Sequence, residues 1–374
     1  MSKLVDRVIE NAIDNKSIVG TEVIAAIGGE VVYRRSAGYF DREAGTAMPV
    51  NAIYRLASVT KPIVATTALA MVDKGMLRLS DLIADYLPYF QPRLGDGSVA
   101  KITIAQLLTH TAGLSYRYPD DPSITTGMQD TEFDHAENLT RIANQPLLFA
   151  PGGGWTYSVA TDVLGAVLAA IGGGSLGEAA RRHVTGPLGM GDTGFEVSDL
   201  TRLAPPYADG VPEPTRMLDH QTIVTETGDT TVFSPVRLFN AKAFQSGGAG
   251  MVGTGSDILK LLEALRTGGG GVLSPALVAA AMSNQIGDLP RDDAGLRFGY
   301  LGAVVDDPAA ANTPESRGSV NWGGVYGHSW LVDPASELIM VSMSNTAQEG
   351  CLGMFPRNVR NAIYADFLPR RNAY

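Results

Sequence analysis

The sequence predicts a mixed α/β (α+β) fold, in which an antiparallel sheet is built from both ends of the chain, flanked by helices, with a mostly helical region inserted. Two hairpin patterns predict the sheet: Thr21–Ile27 with Val31–Arg35 near the start, and Val320–Val332 with Glu337–Ser342 near the end. Apolar segments with helical spacing and Gly or Pro stops fill the middle. Strand-rich ends around a helical middle favour one sheet with an insertion.

The domain organisation follows from the same distribution. We expect a sheet domain of residues 1–80 and 245–374, and a mostly helical inserted domain of residues 81–244. A chain of 374 residues with 45% hydrophobic content can bury a large core as one domain or two.

Charge and cysteine content exclude several function classes. A net charge of −10 and a pI near 5.0 argue against a nucleic-acid partner and favour a small-molecule substrate. The single cysteine, Cys351, excludes an internal disulfide and a thiolate metal cluster, and we expect it to be a small buried residue. We expect no metal and no cofactor.

The N-terminal segment Met1–Glu10 has helical periodicity and early charges, unlike a signal peptide. No apolar run reaches the length of a membrane span. We therefore expect a cytoplasmic protein with no membrane partner, and the sequence leaves its oligomeric state open.

The elements follow in chain order. After the opening helix, Gly28-Gly-Glu30 predicts the turn of the first hairpin, and Ala52–Leu56 predicts a short third strand. Helices are predicted in the middle at Leu82–Leu87, Ile104–Leu108, Glu137–Asn144, Asp162–Ile171 and Glu178–Val184. Two long Pro/Gly-rich segments, Pro205–Asp229 and Gly287–Arg317, are predicted to be loops that shape a functional rim, and Asp333–Ser336 is the predicted turn of the last hairpin.

A Ser-x-x-Lys pair follows the third strand, where Ser58-Val-Thr-Lys61 opens an apolar helix. Residues three apart share a helix face, so the two side chains can meet. Pro62 is tolerated only in a first turn, which places Ser58 at the helix N-terminus, where free N–H groups suit an oxyanion. A serine beside a basic amine indicates nucleophilic catalysis, whereas the alternative is a helix cap followed by a surface lysine.

Two other patterns are predicted to be structural. Gly173-Gly-Ser-Leu-Gly177 matches the esterase G-x-S-x-G pattern, but a helix precedes Ser175, and Ser175 with Glu178 forms a capping box. Gly248–Gly253 matches a dinucleotide fingerprint but lacks a strand-helix-strand unit, so it is predicted to be a loop leading to a helix capped near Ser256.

Tyr157, in Pro151-Gly-Gly-Gly-Trp-Thr-Tyr157-Ser158, supplies a phenol that could relay a proton between nucleophile and leaving group. With Ser58–Lys61, Leu107-Leu-Thr-His-Thr-Ala-Gly-Leu114, Gly186-Pro-Leu-Gly-Met190 and Gly248-Ala-Gly-Met-Val-Gly-Thr254, the chain resembles the serine β-lactamase and penicillin-recognising enzyme superfamily. Within it, the chain is similar to class C β-lactamases and especially to family VIII carboxylesterases.

This resemblance implies an acyl-enzyme on Ser58, with Lys61 and Tyr157 as a coupled base and acid whose resting protonation the sequence leaves open. The third family motif, usually Lys-Thr-Gly or His-x-Gly, aligns with Trp322-Gly323-Gly324. The N–H groups of Val325 and Ser58 would then form the oxyanion hole.

Two residues depart from the β-lactamase pattern. Val159 stands where those enzymes carry Asn, and Trp322 where they carry Lys. Apolar groups at both positions imply an uncharged ester, bound by Trp322, Gly323, Gly324 and Val159, although Trp322 as core packing is the alternative.

The histidines are not needed as bases. We expect His110 to bind loop backbone, and His328, on the strand after the oxyanion residue, to line the pocket.

The predicted function is hydrolysis of small to medium uncharged carboxylic esters. The alternatives are an acyltransferase, an amidase, D-peptidase or weak β-lactamase, and a non-catalytic binding protein of the same fold. Retention of Ser58, Lys61 and Tyr157 together argues against the non-catalytic alternative.

Overall fold

The computed structural model describes residues 3–224 and 230–368 and contains the predicted sheet, formed by both ends of the chain. Its strands, in chain order, are β1 Gly20–Ile27, β2 Glu30–Asp41, β3 Thr46–Ala47, β4 Tyr54–Arg55, β5 Tyr207–Ala208, β6 Thr215–Arg216, β7 Gln221–Val224, β8 Thr230–Phe233, β9 Val252–Gly253, β10 Leu296–Phe298, β11 Ala303–Val305, β12 Val320–Gly324, β13 His328–Asp333 and β14 Leu338–Ser344. The main sheet has the order β10-β11-β12-β13-β14-β1-β2-β3, and every neighbouring pair is antiparallel.

The helices lie on both faces of this sheet and in the region between its two halves. They are α1 Leu4–Asp14, α2 Thr60–Asp73, α3 Ile104–Leu108, α4 His135–Ala143, α5 Ala160–Gly172, α6 Leu176–Ala180, α7 Gly255–Arg266, α8 Pro275–Ala281, α9 Ala347–Cys351 and α10 Met354–Phe367. No single helix in the described part of the chain is long and apolar enough to cross a membrane.

The main sheet packs against helices on both of its faces through two hydrophobic cores. One face packs on α1 and α10, through residues such as Ile9, Val359 and Ile363. The other face packs on a larger core that includes α2, α5 and α7. Because α2 lies inside this core, every residue from Thr60 to Met71 is buried, so the helix that follows Ser58 is fixed on all sides.

The predicted fold class is confirmed, including the first hairpin with its turn at Gly28-Gly29. Val320–Val332 is two strands instead of one, because residues 325–327 turn back and Gly327 adopts a φ of +118° that favours glycine. Leu82–Leu87 holds only a 3₁₀ turn, Ile83–Asp85. The predicted helix Glu178–Val184 is α6 followed by a π-type turn at Arg181–Thr185.

The long predicted loop 205–229 contains short strands up to Val224, and its last five residues lie outside the described part of the chain. The division into two domains stays a prediction, since the larger core joins residues of both parts.

Candidate active site

Ser58 lies where a strand turns sharply into a helix. Strand β4 ends at Arg55, Ala57–Val59 form a 3₁₀ turn, and α2 begins at Thr60. Ala57 adopts a φ of +43°, a left-handed conformation that costs energy for a residue with a Cβ. The surrounding core holds this strained turn, and the prediction that Ser58 stands at a helix N-terminus is confirmed.

Lys61 reaches Ser58 from one helical turn away. Its side chain is buried, and Nζ donates to Ser58 Oγ at 3.2 Å and to the carbonyl oxygen of Gly248 at 2.7 Å. The second hydrogen bond fixes the amine beside the serine. The predicted pair is therefore a direct contact, which a surface lysine would not make.

Asp162 anchors the loop that supplies the Gly248 carbonyl. Its Oδ1 accepts hydrogen bonds from the Ser246 hydroxyl and from the Gly248 N–H. Burial raises the pKa of Asp162, while the Ser246 hydrogen bond and the charge of Lys61 act in the opposite direction. From the sequence, Asp162 was predicted only to lie in a helix, and no local pattern indicated this contact.

Tyr157 is held by the backbone and ring of His110. The Ser158 N–H donates to His110 Nδ1 at 3.2 Å, and the Thr156 N–H donates to the His110 carbonyl oxygen at 3.1 Å. Burial lowers the pKa of His110 well below its usual range, so the ring is neutral. The expectation that His110 binds loop backbone is confirmed.

Trp322 contacts Tyr157 through both its N–H and its ring. Nε1 donates to Tyr157 Oη at 3.2 Å, and the two ring centroids are 5.0 Å apart. Tyr116 packs on the other side of Tyr157 at 5.2 Å, and Phe298 packs edge-on against Trp322 at 5.3 Å. Trp322 is thus part of the site as well as part of the packing.

Tyr116 and Phe298 were not predicted from the sequence to be near the site. Phe298 lies in the long segment 287–317 that was predicted to shape the pocket, and Tyr116 follows the Leu107–Leu114 motif by two residues. Those positions were the only sequence signal, because the ring contacts join segments far apart in the chain.

The two glycines of the third motif allow β12 to approach the Ser58 turn. A Cβ on Gly324 would stand 2.3 Å from the Leu56 carbonyl oxygen, and a Cβ on Gly323 would stand 2.8 Å from Cys351 Sγ. Only glycine fits at these distances. Val325, the first residue after this strand, lines the same pocket as Ser58.

Val159 and His328 do not reach the pocket, in contrast to their predicted contact with substrate. Val159 is fully buried at the start of α5. His328 is also buried, its Nε2 donates to the Arg55 carbonyl oxygen at 2.8 Å, and burial lowers its pKa to about 4. On β13 the His328 side chain points to the core under the site, which the alternation of strand faces explains.

A pocket of about 330 Å³ opens over these groups and is lined by Ser58, Tyr157, Trp322, Gly323 and Val325. Arg291 also lines it, stacked 4.2 Å over the Trp155 ring and paired with Asp293 at 2.7 Å. Cys351 also lines the pocket and is partly exposed instead of buried as expected, while desolvation of its thiol raises the pKa to about 12, so it is not a nucleophile.

The two patterns expected to be structural are so. Ser175 caps α6 and exchanges hydrogen bonds with Glu178, and Gly248–Gly253 is a loop with the short strand β9. The helix after that loop, α7, is capped by Thr254 instead of Ser256, whose hydroxyl donates to Asn51.

Comparisons with known proteins match nearly the whole chain. A family model described as Beta-lactamase matches residues 5–354. The chain is 46% identical to Esterase EstB of Burkholderia gladioli over 370 residues, which cover 96% of this chain and 94% of that protein.

Solved structures extend the likeness. EstCE1, described as a hydrolase with promiscuous acyltransferase activity, superposes with a TM-score of 0.91 and 39% identity, covering 96% of this chain and 97% of that one. Simvastatin synthase (LovD) of Aspergillus terreus, at 21% identity and a TM-score of 0.78, covers 98% of both chains and shares the fold.

Proposed function

Since the chain belongs to the beta-lactamase family, we propose that it is a serine carboxylesterase that forms an acyl-enzyme on Ser58 with small to medium uncharged esters. The observation that carries the proposal is the cluster of Ser58, Lys61 and Tyr157, with the Trp322 N–H donating to Tyr157 Oη at 3.2 Å. Relatives named as esterases or hydrolases support the reaction class.

Acylation begins when Ser58 Oγ attacks the ester carbonyl carbon. The serine proton passes to the coupled Lys61–Tyr157 pair, since Lys61 Nζ is within hydrogen-bond distance of Oγ. The carbonyl oxygen gains negative charge, which the N–H groups of Ser58 and Val325 stabilise. The C–O bond to the alcohol then breaks, and the pair returns the proton to the leaving alkoxide.

Deacylation runs the same steps with water as the nucleophile. Water loses a proton to the Lys61–Tyr157 pair, attacks the acyl carbon, and Ser58 leaves with the proton restored. A bound alcohol in place of water gives acyl transfer, and the description of EstCE1 as a hydrolase with promiscuous acyltransferase activity favours this as the second candidate.

Three arginines line the pocket, and the exposed Arg357 has no ion pair in the described part of the chain, whereas the other two face carboxylates. Arg291 is paired with Asp293, and Arg360 is paired with Glu315 at 3.0 Å, so neither guanidinium is a free cation. Trp322 offers an apolar face where a β-lactamase would carry a lysine. A β-lactam carboxylate buried against Trp322 meets no cation at that position, which costs several kcal/mol, and this supports an uncharged substrate.

The test is to measure kcat/KM for p-nitrophenyl esters of increasing chain length beside a cephalosporin and an amide. A shortfall of about 3–4 kcal/mol in transition-state binding corresponds to a rate at least a few hundredfold lower for the cephalosporin. Comparable kcat/KM values for ester and cephalosporin would contradict the proposed substrate class. Labelling by a fluorophosphonate separates an enzyme from a non-catalytic protein of this fold.

A further inference from the structure

A second cavity, of about 400 Å³, lies on the other side of the loop that positions Lys61. It is lined by Ala249 to Val252, which follow Gly248, and by Tyr326, which follows Val325. None of the residues that line it lines the Ser58 pocket. The cavity is therefore separate from the ester site and is not used by the mechanism above.

Two arginines line this cavity, and each donates hydrogen bonds to neutral backbone carbonyl oxygens. Arg237, 8% exposed, donates to the carbonyl oxygens of Gln129 and Phe244 at 2.7 and 2.8 Å. Arg55 donates to the carbonyl oxygens of Pro235 and Ala204 at 3.1 and 3.3 Å.

Neither guanidinium has a carboxylate within ion-pair distance among the residues that the structure describes. Asp162 and Asp130 act on Arg237 only from farther away, and burial lowers the pKa of both arginines. Each guanidinium has five N–H donors, so several remain available beyond the two carbonyl contacts.

Tyr326 adds a hydroxyl donor to the lining of the same cavity. The residue is 6% exposed, and its ring packs edge-on against Phe233 at 5.0 Å. Its hydroxyl has no hydrogen-bond partner among the described residues, while the charges of both Arg55 and Arg237 act on it. The hydroxyl lines the cavity with a hydrogen-bond donor that no described residue uses, so the oxygen of a ligand there can accept its hydrogen bond.

We propose that this cavity is an anion site, in which the Arg55 and Arg237 guanidiniums and the Tyr326 hydroxyl bind the oxygens of a carboxylate or phosphate group. Arginine forks match the geometry of these oxyanions, and an anion would supply the counter-charge that the protein leaves out. Glu196, exposed at the rim, is the one carboxylate among the lining residues that the structure describes, so the anion meets little repulsion inside.

The site is tied to the catalytic backbone through chain connectivity. Arg55 stands three residues before Ser58, and Tyr326 directly follows Val325. An anion held by both residues would connect the nucleophile turn to the turn at residues 325–327.

The experiment is calorimetric titration of the full chain with inorganic phosphate and, separately, with succinate, at constant ionic strength set by sodium chloride. We expect saturable binding of one anion per chain. The better ligand of the two identifies whether a phosphate or a carboxylate is the source of the oxyanion.

Three variants locate the binding. Arg237→Gln should weaken it at least about tenfold, because charged hydrogen bonds are the strong ones. Tyr326→Phe keeps the ring contact with Phe233 and should weaken it several-fold. Arg93→Gln is the matched control, since the exposed Arg93 also donates to a carbonyl oxygen, that of Gly97, and binding should be unchanged.

Absence of saturable binding for both anions would overturn the proposal. So would wild-type affinity in a folded Tyr326→Phe protein, which stays a valid test even where Arg237→Gln fails to fold after losing two backbone contacts. An equal loss in Arg93→Gln would show that the heats report general surface charge, and would overturn it as well.

Discussion

Ser58 and Ser175 are both at helix N-termini, but only Ser58 has a basic amine within hydrogen-bond distance. We expect Ser58→Ala to lower kcat/KM for a p-nitrophenyl ester at least about a thousandfold, since removal of a nucleophile removes the acyl-enzyme route. Ser175→Ala, the matched control, should keep activity within a few-fold and lose about 1 kcal/mol of stability with its cap. An active Ser58→Ala protein beside an inactive, folded Ser175→Ala protein would contradict the assignment.

In the proposed mechanism Lys61 and Tyr157 share one proton-transfer task, and Lys61 Nζ lies 4.7 Å from the centre of the Tyr157 ring. We expect Lys61→Ala and Tyr157→Phe each to cost about 2–4 kcal/mol of transition-state stabilisation, and the double mutant to cost far less than the sum. Steady-state kinetics on the four proteins of the cycle measure this. Simple additivity would mean that the two groups act independently.

In the proposed function, Trp322 is the residue that makes the pocket prefer an uncharged substrate to a charged one. Trp322→Lys should damage ester hydrolysis more than cephalosporin hydrolysis, because it replaces an apolar face and a donor to Tyr157 with a cation. The measurement is kcat/KM for one ester and one cephalosporin on both proteins. Trp322→Phe, which keeps a ring and loses the N–H, is the control for packing alone. A larger gap between the two substrates in Trp322→Lys would count against the prediction.

Among single residues, the sequence predicted the candidate reacting groups but not the residues that hold them in place. Ser58 and Lys61 are the first and last residues of a four-residue segment at a helix start, so spacing alone placed them together. Gly248, Asp162 and Phe298 reach the site from distant segments, and no local pattern encodes such contacts. His328 was placed at the pocket because its strand is correct, but the alternation of strand faces buries it.

Among the elements, β12 approaches the Ser58 turn closely because its last two residues, Gly323 and Gly324, have no side chains. Gly324→Ala would place a Cβ 2.3 Å from the Leu56 carbonyl oxygen, so we expect β12 to move away and activity to fall at least tenfold, with about 1–3 kcal/mol lost in stability. Chemical denaturation and ester kinetics report the two effects. Gly95→Ala, where a Cβ meets nothing within 4 Å, should leave both unchanged. Full activity in Gly324→Ala would show that this approach is not required.

Elements with a strong local pattern were predicted well, and those decided by tertiary contacts were not. The helix Ile104–Leu108 and the first hairpin match because caps and a Gly-Gly turn define their limits. The turn at residues 325–327 within Val320–Val332 was not predicted, because neither of the two strands that flank it alternates clearly between buried and exposed positions.

For the whole molecule, the buried neutral histidines predict loss of stability in mild acid. Burial lowers the pKa of His328 to about 4, below its unfolded value of about 6.5, so the unfolded chain binds the proton first. The contribution of neutral His328 to the free energy of unfolding is complete above about pH 6.5, and about 3 kcal/mol of it is lost as the pH drops to about 4. Urea denaturation between pH 7 and pH 4.5 measures the slope. His328→Asn should flatten it, whereas replacement of the exposed His220 by Asn should not; equal slopes in all three proteins would contradict the expectation.

The pairing of β1 with β14 has a consequence for synthesis of the chain. Thr21 lies opposite Ser344 in the finished sheet, with the chain between them about 320 residues long. At about 5–20 residues per second, a ribosome needs roughly 15–60 seconds to deliver the partner of the first strand. Until then the β1 edge, whose side chains are almost all buried in the final protein, has no strand beside it on that side. Slow codons late in the message would therefore lengthen the time for which the nascent chain exposes an unpaired, aggregation-prone strand edge, and a premature stop would leave that edge unpaired. Chaperones act on chains in this form.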